Sequence, residues 1–478
     1  MNSLTKLSRA KIICTIGPSS NSYETIMAMA IAGMHAARLN FSHGNHEDHK
    51  RNIETVRRVS QDLIKPIAIL QDLQGPKIRI QTFKNGAVEL KEGESFTLTT
   101  RNIQGDQSAV SVSYASFPKD VKPGNTVLLD DGMITLEVQR IDGPDVQCQV
   151  IFGGHLSDRK GLNLPGSTLS VTALTDKDIE DLKFGLQMDV DYVALSFVQK
   201  PQDIYDIKQL IAKHGKDTPV VAKIEKPQAV QAIDQIIEAT DLVMVARGDL
   251  GVELKAEEVP PIQKKIIKKC NERGKPVITA TQMLDSMIHN PRPTRAEASD
   301  VANAILDGSD AVMLSGETAS GKYPVETVET MHRIISLIEE EQLKECKPPR
   351  QALKIEYNSA EAIGHSACTA AELVKAAAIV CLTQTGSTAH MISHYRPTQS
   401  IIAVTHSQRS LQRMALLWGV SGYMVQEFKD NIDDAIHDVM KVLKEENVLE
   451  SGDCVVITAG LPFSLRRRTN MLRIEEVE

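Results

Sequence analysis

The chain has 478 residues, 42% of them apolar, which is enough to bury several cores and too apolar to leave the chain disordered. Its 62 acidic against 54 basic side chains give a formal charge of −8, which argues against a general nucleic-acid or membrane-surface binder. No apolar run approaches the roughly 18 residues of a spanning helix, and Met1 to Ala10 lacks the apolar stretch of a secretory signal, so a cytoplasmic protein is expected. Three short β-branched runs come first, Lys11–Ile16, His35–Leu39 and Pro66–Leu70, alternating with helix-period segments. From about Asp72 to Ser170 the texture changes to short alternating runs such as Ala109–Tyr114, Ile134–Val138 and Val146–Phe152, separated by glycine-containing turns, which predicts an inserted all-β domain. Five more strands follow at Tyr192–Leu195, Pro219–Ile224, Leu242–Val245, Pro276–Thr279 and Ala311–Leu314. Between them lie amphipathic helices, one carrying Ile204, Ile207, Leu210 and Ile211 and another Ile262, Ile266, Ile267 and Cys270. A third opens on a capping box, Thr294 with Glu297, and is expected to bury Ala298, Val301, Ala302 and Ile305.

Three strands plus five make the eight that close a (β/α)₈ barrel. The β insert then follows the third strand, on the face where such barrels carry their sites, and could act as a lid. After the charged stretch Glu339 to Arg350, strands Ala378–Leu382, Ile401–Val404 and Cys454–Thr458 alternate with helices, implying a separate C-terminal α/β domain. The expected bounds are 1–71 with 171–345 for the barrel, 72–170 for a β-barrel lid and 346–478 for the last domain. Cys14, Cys148, Cys270, Cys346, Cys368, Cys381 and Cys454 are scattered singly without a C-x-x-C, so neither a disulfide framework nor a zinc site is indicated.

In such a barrel the C-terminal ends of the strands carry the chemistry, and here nearly all are polar. After strand two, a period of two puts Arg38, Asn40 and Ser42 on one face. After strand three stands Asp72, followed by Lys77 and Arg79. Strand five ends in Lys223-Ile224-Glu225 and strand six in Arg247-Gly248-Asp249, so two carboxylates meet on neighbouring strand ends, an oxygen set suited to Mg²⁺. An isolated Lys-x-Glu would be read as a simple ion pair. Strand seven runs into Thr281, whose hydroxyl could relay a proton or cap a helix. Gly316 to Lys322 nearly matches a P-loop, but Tyr323 stands where Ser or Thr is needed, and the Walker reading is rejected. His43, His46 and His49 are read as solvated rather than metal-binding. In the last domain, Thr383-Gln384-Thr385-Gly386-Ser387-Thr388 joins a strand to a helix. That turn could take an anion or be a plain capped turn, and Arg466 to Arg468 could serve the same anion or form a solvated basic face.

These residues resemble the pyruvate kinase family, through Arg38–Gly44 (RLNFSHG), Asp72–Arg79 (DLQGPKIR), Lys223–Glu225, Val243–Val252 (VMVARGDLGV), Ala280–Met287 (ATQMLDSM) and Met313–Thr318 (MLSGET). The resemblance covers the whole chain from Lys11. It implies phosphoryl transfer from phosphoenolpyruvate to ADP, giving pyruvate and ATP at the end of glycolysis, with Mg²⁺ or alternatively Mn²⁺. By that resemblance Lys223 and Arg38 would contact the transferring phosphoryl, Glu225 and Asp249 would hold Mg²⁺, and Gly248, Asp249 and Thr281 would bind substrate, with Thr281 near the proton route. Asn40, Ser42, His43, Arg79 and Lys160 would serve the nucleotide. Many members hold K⁺ at positions matching Asn40, Ser42, Asp72 and the carbonyl of Leu73, and carry Glu where this chain has Lys77. The departure implies that K⁺ is not required. Thr383, Thr385, Gly386, Ser387 and Thr388 match an effector-phosphate loop, implying activation by a sugar phosphate or nucleotide monophosphate. The family is usually a homotetramer. Two other readings compete: another Mg²⁺ enzyme of pyruvate enolates on the same barrel, disfavoured by the lid with Lys160, and a regulator with a dead site, disfavoured by the presence of Lys223, Glu225, Asp249 and Thr281.

Overall fold

The structure is a computed structural model that describes residues 8–166, 172–344, 358–465 and 467–478. Cys346, Arg466 and the expected boundaries at 170/171 and 345/346 lie outside the described residues. Eight parallel strands close a barrel: β1 (Lys11–Thr15), β2 (Ala36–Asn40), β3 (Ala68–Asp72), β4 (Tyr192–Leu195), β5 (Val220–Ile224), β6 (Leu242–Ala246), β7 (Val277–Ala280) and β8 (Ala311–Leu314). Each differs from its sequence-derived span by two residues or fewer at either end.

Alternation along these strands explains where the site sits. One set of positions, including Ile13, Ala36, Ala68, Leu70, Tyr192, Ala194, Val221, Met244 and Ile278, fills the barrel interior. The intervening set, including Ile12, Ala37, Ile69, Val193, Ala222 and Val243, packs against the surrounding helices. Stepping up by two from the interior residues of β2 to β5 reaches Arg38, Asp72, Ser196 and Lys223 at the C-terminal mouth. An apolar plug therefore lies beneath a polar rim. The Arg295–Asp307 helix begins at the Thr294/Glu297 capping box as expected; it buries Val301, Ala304 and Ile305, while Ala298 and Ala302 are half-buried.

Between β3 and β4 the chain leaves the barrel for a six-stranded, mostly antiparallel sheet and a two-stranded sheet with their own apolar core around Phe96, Phe117, Leu136 and Val146. Past the barrel, a five-stranded sheet runs in the order Val420–Met424, Ser400–Thr405, Ala378–Leu382, Cys454–Ala459, Met471–Glu476, with only the last strand antiparallel. This domain closes the barrel floor: Ala415 and Leu416 join the barrel's interior cluster, and Lys11 donates to the Val420 carbonyl at 2.9 Å. No helix among the described residues is long and apolar enough to cross a membrane.

Candidate active site at the barrel mouth

At the centre lies Lys223, 8% exposed, whose ammonium donates to Ser196 Oγ at 2.7 Å and sits 2.8 Å from Glu225 Oε1 and 3.2 Å from Asp72 Oδ1. Asp72 is shared: its other oxygen accepts from Arg38 Nε and Nη2, both at 2.7 Å. Arg38 Nη1 reaches Thr15 Oγ1 at 3.0 Å, so its fork is fixed from two sides. Burial alone would lower the Lys223 pKa, but Asp72, Glu225 and Asp249 outweigh it and raise it, so the ammonium stays charged. Burial would likewise raise Asp72, yet Lys223 and Arg38 hold it below the ordinary carboxylate range. Glu225 goes the other way: burial lifts its carboxyl, Lys223 opposes, and the nearby charge of Asp249 lifts it further. Two acids that crowd each other beside a fixed cation are a donor set that a divalent ion would relieve, and Glu225 and Asp249 fit Mg²⁺ on that ground. Among the described residues no group of three or more His, Cys, Asp or Glu converges on a metal position, so such an ion would take its remaining ligands from water or substrate.

Across the mouth, β6 passes directly into the Arg247–Glu253 helix, which carries half-buried Asp249 in its first turn. The backbone N–H of Gly248 donates to Thr281 Oγ1 at 2.7 Å, and a Cβ at Gly248 would lie 3.3 Å from that oxygen, so a side chain there would crowd the threonine. Thr281 and Gln282 have φ of +69° and +53°, consecutive left-handed residues that are not glycine. Each costs on the order of 1–3 kcal/mol and persists only where its surroundings hold it.

The residues expected at the nucleotide are divided between barrel and insert. Half-buried Asn40 ends β2, paired in register with Asp72, and its Oδ1 accepts from the Ser42 N–H at 3.1 Å. Ser42 therefore stands in a turn and does not extend the strand's polar ladder as the period of two suggested. Burial, then the charges of Arg79, Lys77 and Arg38, holds His43 below the ordinary histidine value, so several cations face one loop. Arg79 donates to the Arg159 carbonyl at 3.0 Å, and Lys160 pairs with Asp130 Oδ1 at 2.8 Å. Leu73 is buried, and its carbonyl accepts from Ser196 Oγ at 2.7 Å. Of the other two histidines, His46 is exposed as expected, though it stacks on Phe184 at 4.3 Å and pairs with Asp181 at 2.7 Å, while buried His49 corrects the solvated reading by stacking on Phe41 at 3.9 Å. Their aromatic faces find apolar partners, which the loop's polar sequence hides.

Residues 7–328 match the family described as pyruvate kinase, barrel domain, and residues 361–475 that described as pyruvate kinase, alpha/beta domain. The chain belongs to the pyruvate kinase family. It is 47% identical over 481 residues to the pyruvate kinase of Clostridium perfringens, covering 98% of this chain and 100% of that one. It is 48% identical over 474 residues to pyruvate kinase 2 of Synechocystis, covering 98% and 79% respectively. A crystal structure of a pyruvate kinase from Cryptosporidium parvum superposes with a TM-score of 0.91 at 37% identity, covering 100% of this chain and 98% of that one. As a pyruvate kinase the chain is a phosphotransferase, with phosphoenolpyruvate, ADP or ATP, and pyruvate as its substrates.

Several residues of this pyruvate kinase site escaped sequence reasoning. Ser196, which orients Lys223, follows the one barrel strand between β3 and β5 whose end went unread, and the strand-end rule would have found it. Phe197 N–H donates to Glu225 Oε2 at 2.8 Å, a main-chain contact with no side-chain signal. Asp178, in a capping box with Thr175, also accepts from Gly75 N–H at 3.0 Å, and Lys177 reaches the Phe41 carbonyl at 2.8 Å. One helix thus steadies two mouth loops. In the C-terminal loop, Thr383 and Thr388 are buried and committed, the first to the Gly386 N–H at 3.0 Å and the second to Thr469 Oγ1 at 2.8 Å. Thr385 and Ser387 are exposed, bonded to each other at 3.1 Å, around Gly386 at φ +84°.

Proposed function

We propose that the barrel mouth carries phosphoryl transfer by charge placement. The bond between the phosphoryl group and the enol oxygen of phosphoenolpyruvate breaks, a bond to the terminal oxygen of ADP forms, and the enolate left behind gains a proton at its methylene carbon. Lys223 and Arg38 meet the negative charge on the moving phosphoryl, a preorganised pair that costs no reorganisation as the reaction proceeds. Glu225 and Asp249 hold Mg²⁺, or Mn²⁺ in its place, which supplies Lewis-acid stabilisation of the phosphoryl and enolate oxygens when bound. Gly248 N–H and Thr281 receive the substrate carboxylate, with Thr281 on the proton route. Asn40, Ser42, His43, Arg79 and Lys160 receive the nucleotide, with the insert as lid. The observation that carries this reading is the single ammonium of Lys223 wedged between Asp72, Glu225 and Ser196 above an apolar plug.

The same reading takes Asn40, Ser42, Asp72 and Leu73 as the monovalent-cation region, with the Lys77 ammonium making K⁺ unnecessary. It takes Thr383, Thr385, Gly386, Ser387 and Thr388 as a loop for a sugar phosphate or nucleotide monophosphate that activates the enzyme. It includes domain bounds at 1–71 with 171–345, 72–170 and 346–478, a homotetramer and a cytoplasmic setting. Pyruvate formation from phosphoenolpyruvate, ADP and Mg²⁺ tests the chemistry. Loss of activity in Glu225→Gln and Asp249→Asn, restored in neither by excess Mg²⁺, supports it; full activity in either variant removes the assignment.

A further inference from the structure

Five hydrogen-bonding contacts converge on the turn that holds Thr281, and they come from one side chain and its neighbour. Arg247 Nε reaches the Ala280 carbonyl at 3.3 Å, while Nη2 reaches the Thr281 carbonyl at 2.7 Å, the Gln282 carbonyl at 3.3 Å and Met283 Sδ at 2.8 Å. The adjoining Gly248 N–H takes Thr281 Oγ1. The remaining arm, Nη1, is anchored away from the mouth on Asp300 at 2.7 Å, with Gln263 Oε1 at 3.4 Å. Thr281 and Gln282 are left-handed in succession, a backbone path that L side chains avoid unless something external fixes it. A planar guanidinium fork can serve three carbonyls and a carboxylate at once; an ammonium, as a point charge, cannot.

We propose that Arg247, anchored by Asp300, is the positioning residue for Thr281: it sets the hydroxyl beside Gly248 N–H without touching substrate. This rests on the role given above to Thr281. Asp300 lies on the Arg295–Asp307 helix with its side chain 35% exposed, lining an open cavity of about 440 Å³ with Gln282 and Asn303, so the anchor stands in solvent reach outside the barrel mouth.

The test uses the full-length enzyme with Arg247→Lys, Asp300→Asn and Thr281→Val. Steady-state kinetics separate kcat from KM for phosphoenolpyruvate, and nuclear magnetic resonance in heavy water follows deuterium entering the methyl group of pyruvate. In that exchange the methyl carbon first gives up a proton, the reverse of enolate protonation, and the enolate then takes a deuteron in its place. Arg247→Lys is expected to lose about 10- to 100-fold in kcat with KM changed less than threefold, because displacing a reacting group by about 1 Å costs on that order. Methyl exchange should fall in parallel. Asp300→Asn keeps the fork but frees its anchor, and a loss of about threefold to tenfold in kcat is expected on the same grounds. Unchanged kcat in Asp300→Asn, or an Arg247→Lys enzyme within threefold of the parent, overturns the proposal. If Arg247→Lys fails to fold by circular dichroism, the Asp300→Asn result alone decides. Full activity in Thr281→Val would instead sink the role of Thr281, a failure that the two other variants do not share.

Discussion

Replacing Lys223 by Met separates charge placement from packing, because the methionine keeps the apolar stem and removes only the ammonium. Three contacts vanish with it, to Ser196, Glu225 and Asp72. Asp72 retains Arg38 through two contacts at 2.7 Å, so its charge stays paired. Glu225 does not: its carboxyl already stands above the ordinary range through burial, and without Lys223 it moves further up. Because the shift favours the protonated form, the stability loss is expected to stay at about 2 kcal/mol, below the roughly 3–5 kcal/mol of breaking a buried pair outright. Catalysis has no such escape, and a loss of at least about a thousandfold in kcat, or about 4 kcal/mol of barrier, is expected. The linkage sign is fixed. A carboxyl raised in the folded state holds a proton that the unfolded chain has released, so stability falls as pH rises between the unfolded and folded values. The variant widens that window upward, and its melting deficit against the parent should shrink as pH drops from 8 to 5. Activity within tenfold of the parent would refute the charge argument, and a melting deficit that is flat with pH would refute the account of Glu225.

Activity should change by less than about tenfold when K⁺ is replaced by a bulky inert cation, a limit of roughly 1.4 kcal/mol of barrier, and Lys77→Glu should make the enzyme depend on K⁺. Equal K⁺ response in parent and variant would count against Lys77 as the internal cation. Gly274 has φ +62° and a Cβ there would come within 2.3 Å of His394 Nδ1, so Gly274→Ala should destabilise the junction of barrel and C-terminal domain by about 2 kcal/mol or more, read by urea unfolding. Burial pulls Lys11 at the barrel floor down to about 7. The unfolded chain then binds more protons above that pH, so the parent should gain up to about 2 kcal/mol over Lys11→Met between pH 6.5 and 8.5.

The barrel was legible because its strands are short, β-branched and spaced by strongly periodic helices, and because a fixed rule places polar ends at one mouth. Two strands of the last domain were not. Val420–Met424 includes Ser421 and Gly422, which break the β-branched pattern, and Met471–Glu476 is an antiparallel edge in which Arg473, Glu475 and Glu476 interrupt the apolar pattern. In the near P-loop, Gly321 folds back on the Gly316 carbonyl at 2.9 Å, and a Cβ there would lie 2.3 Å from the Glu317 carbonyl, so the second glycine answers to this close approach. At the site, single residues at strand ends could be read from order and period. The work of Arg247, Asp178 and Phe197 N–H could not, since it consists of contacts between segments 28 to 103 residues apart.

The pair between Lys160 and Asp130 gives the proposed nucleotide lysine a resident rival. Asp130 belongs to the same insert, so it competes for the ammonium at a fixed local concentration that dilution cannot lower. Both side chains are partly exposed, 37% and 26%, which limits the rivalry to about 1 kcal/mol, or about a fivefold weakening of nucleotide binding. Under the nucleotide role proposed for Lys160, the same rivalry acts in the forward direction as eviction: each ATP released would leave behind a lysine that already has somewhere to go.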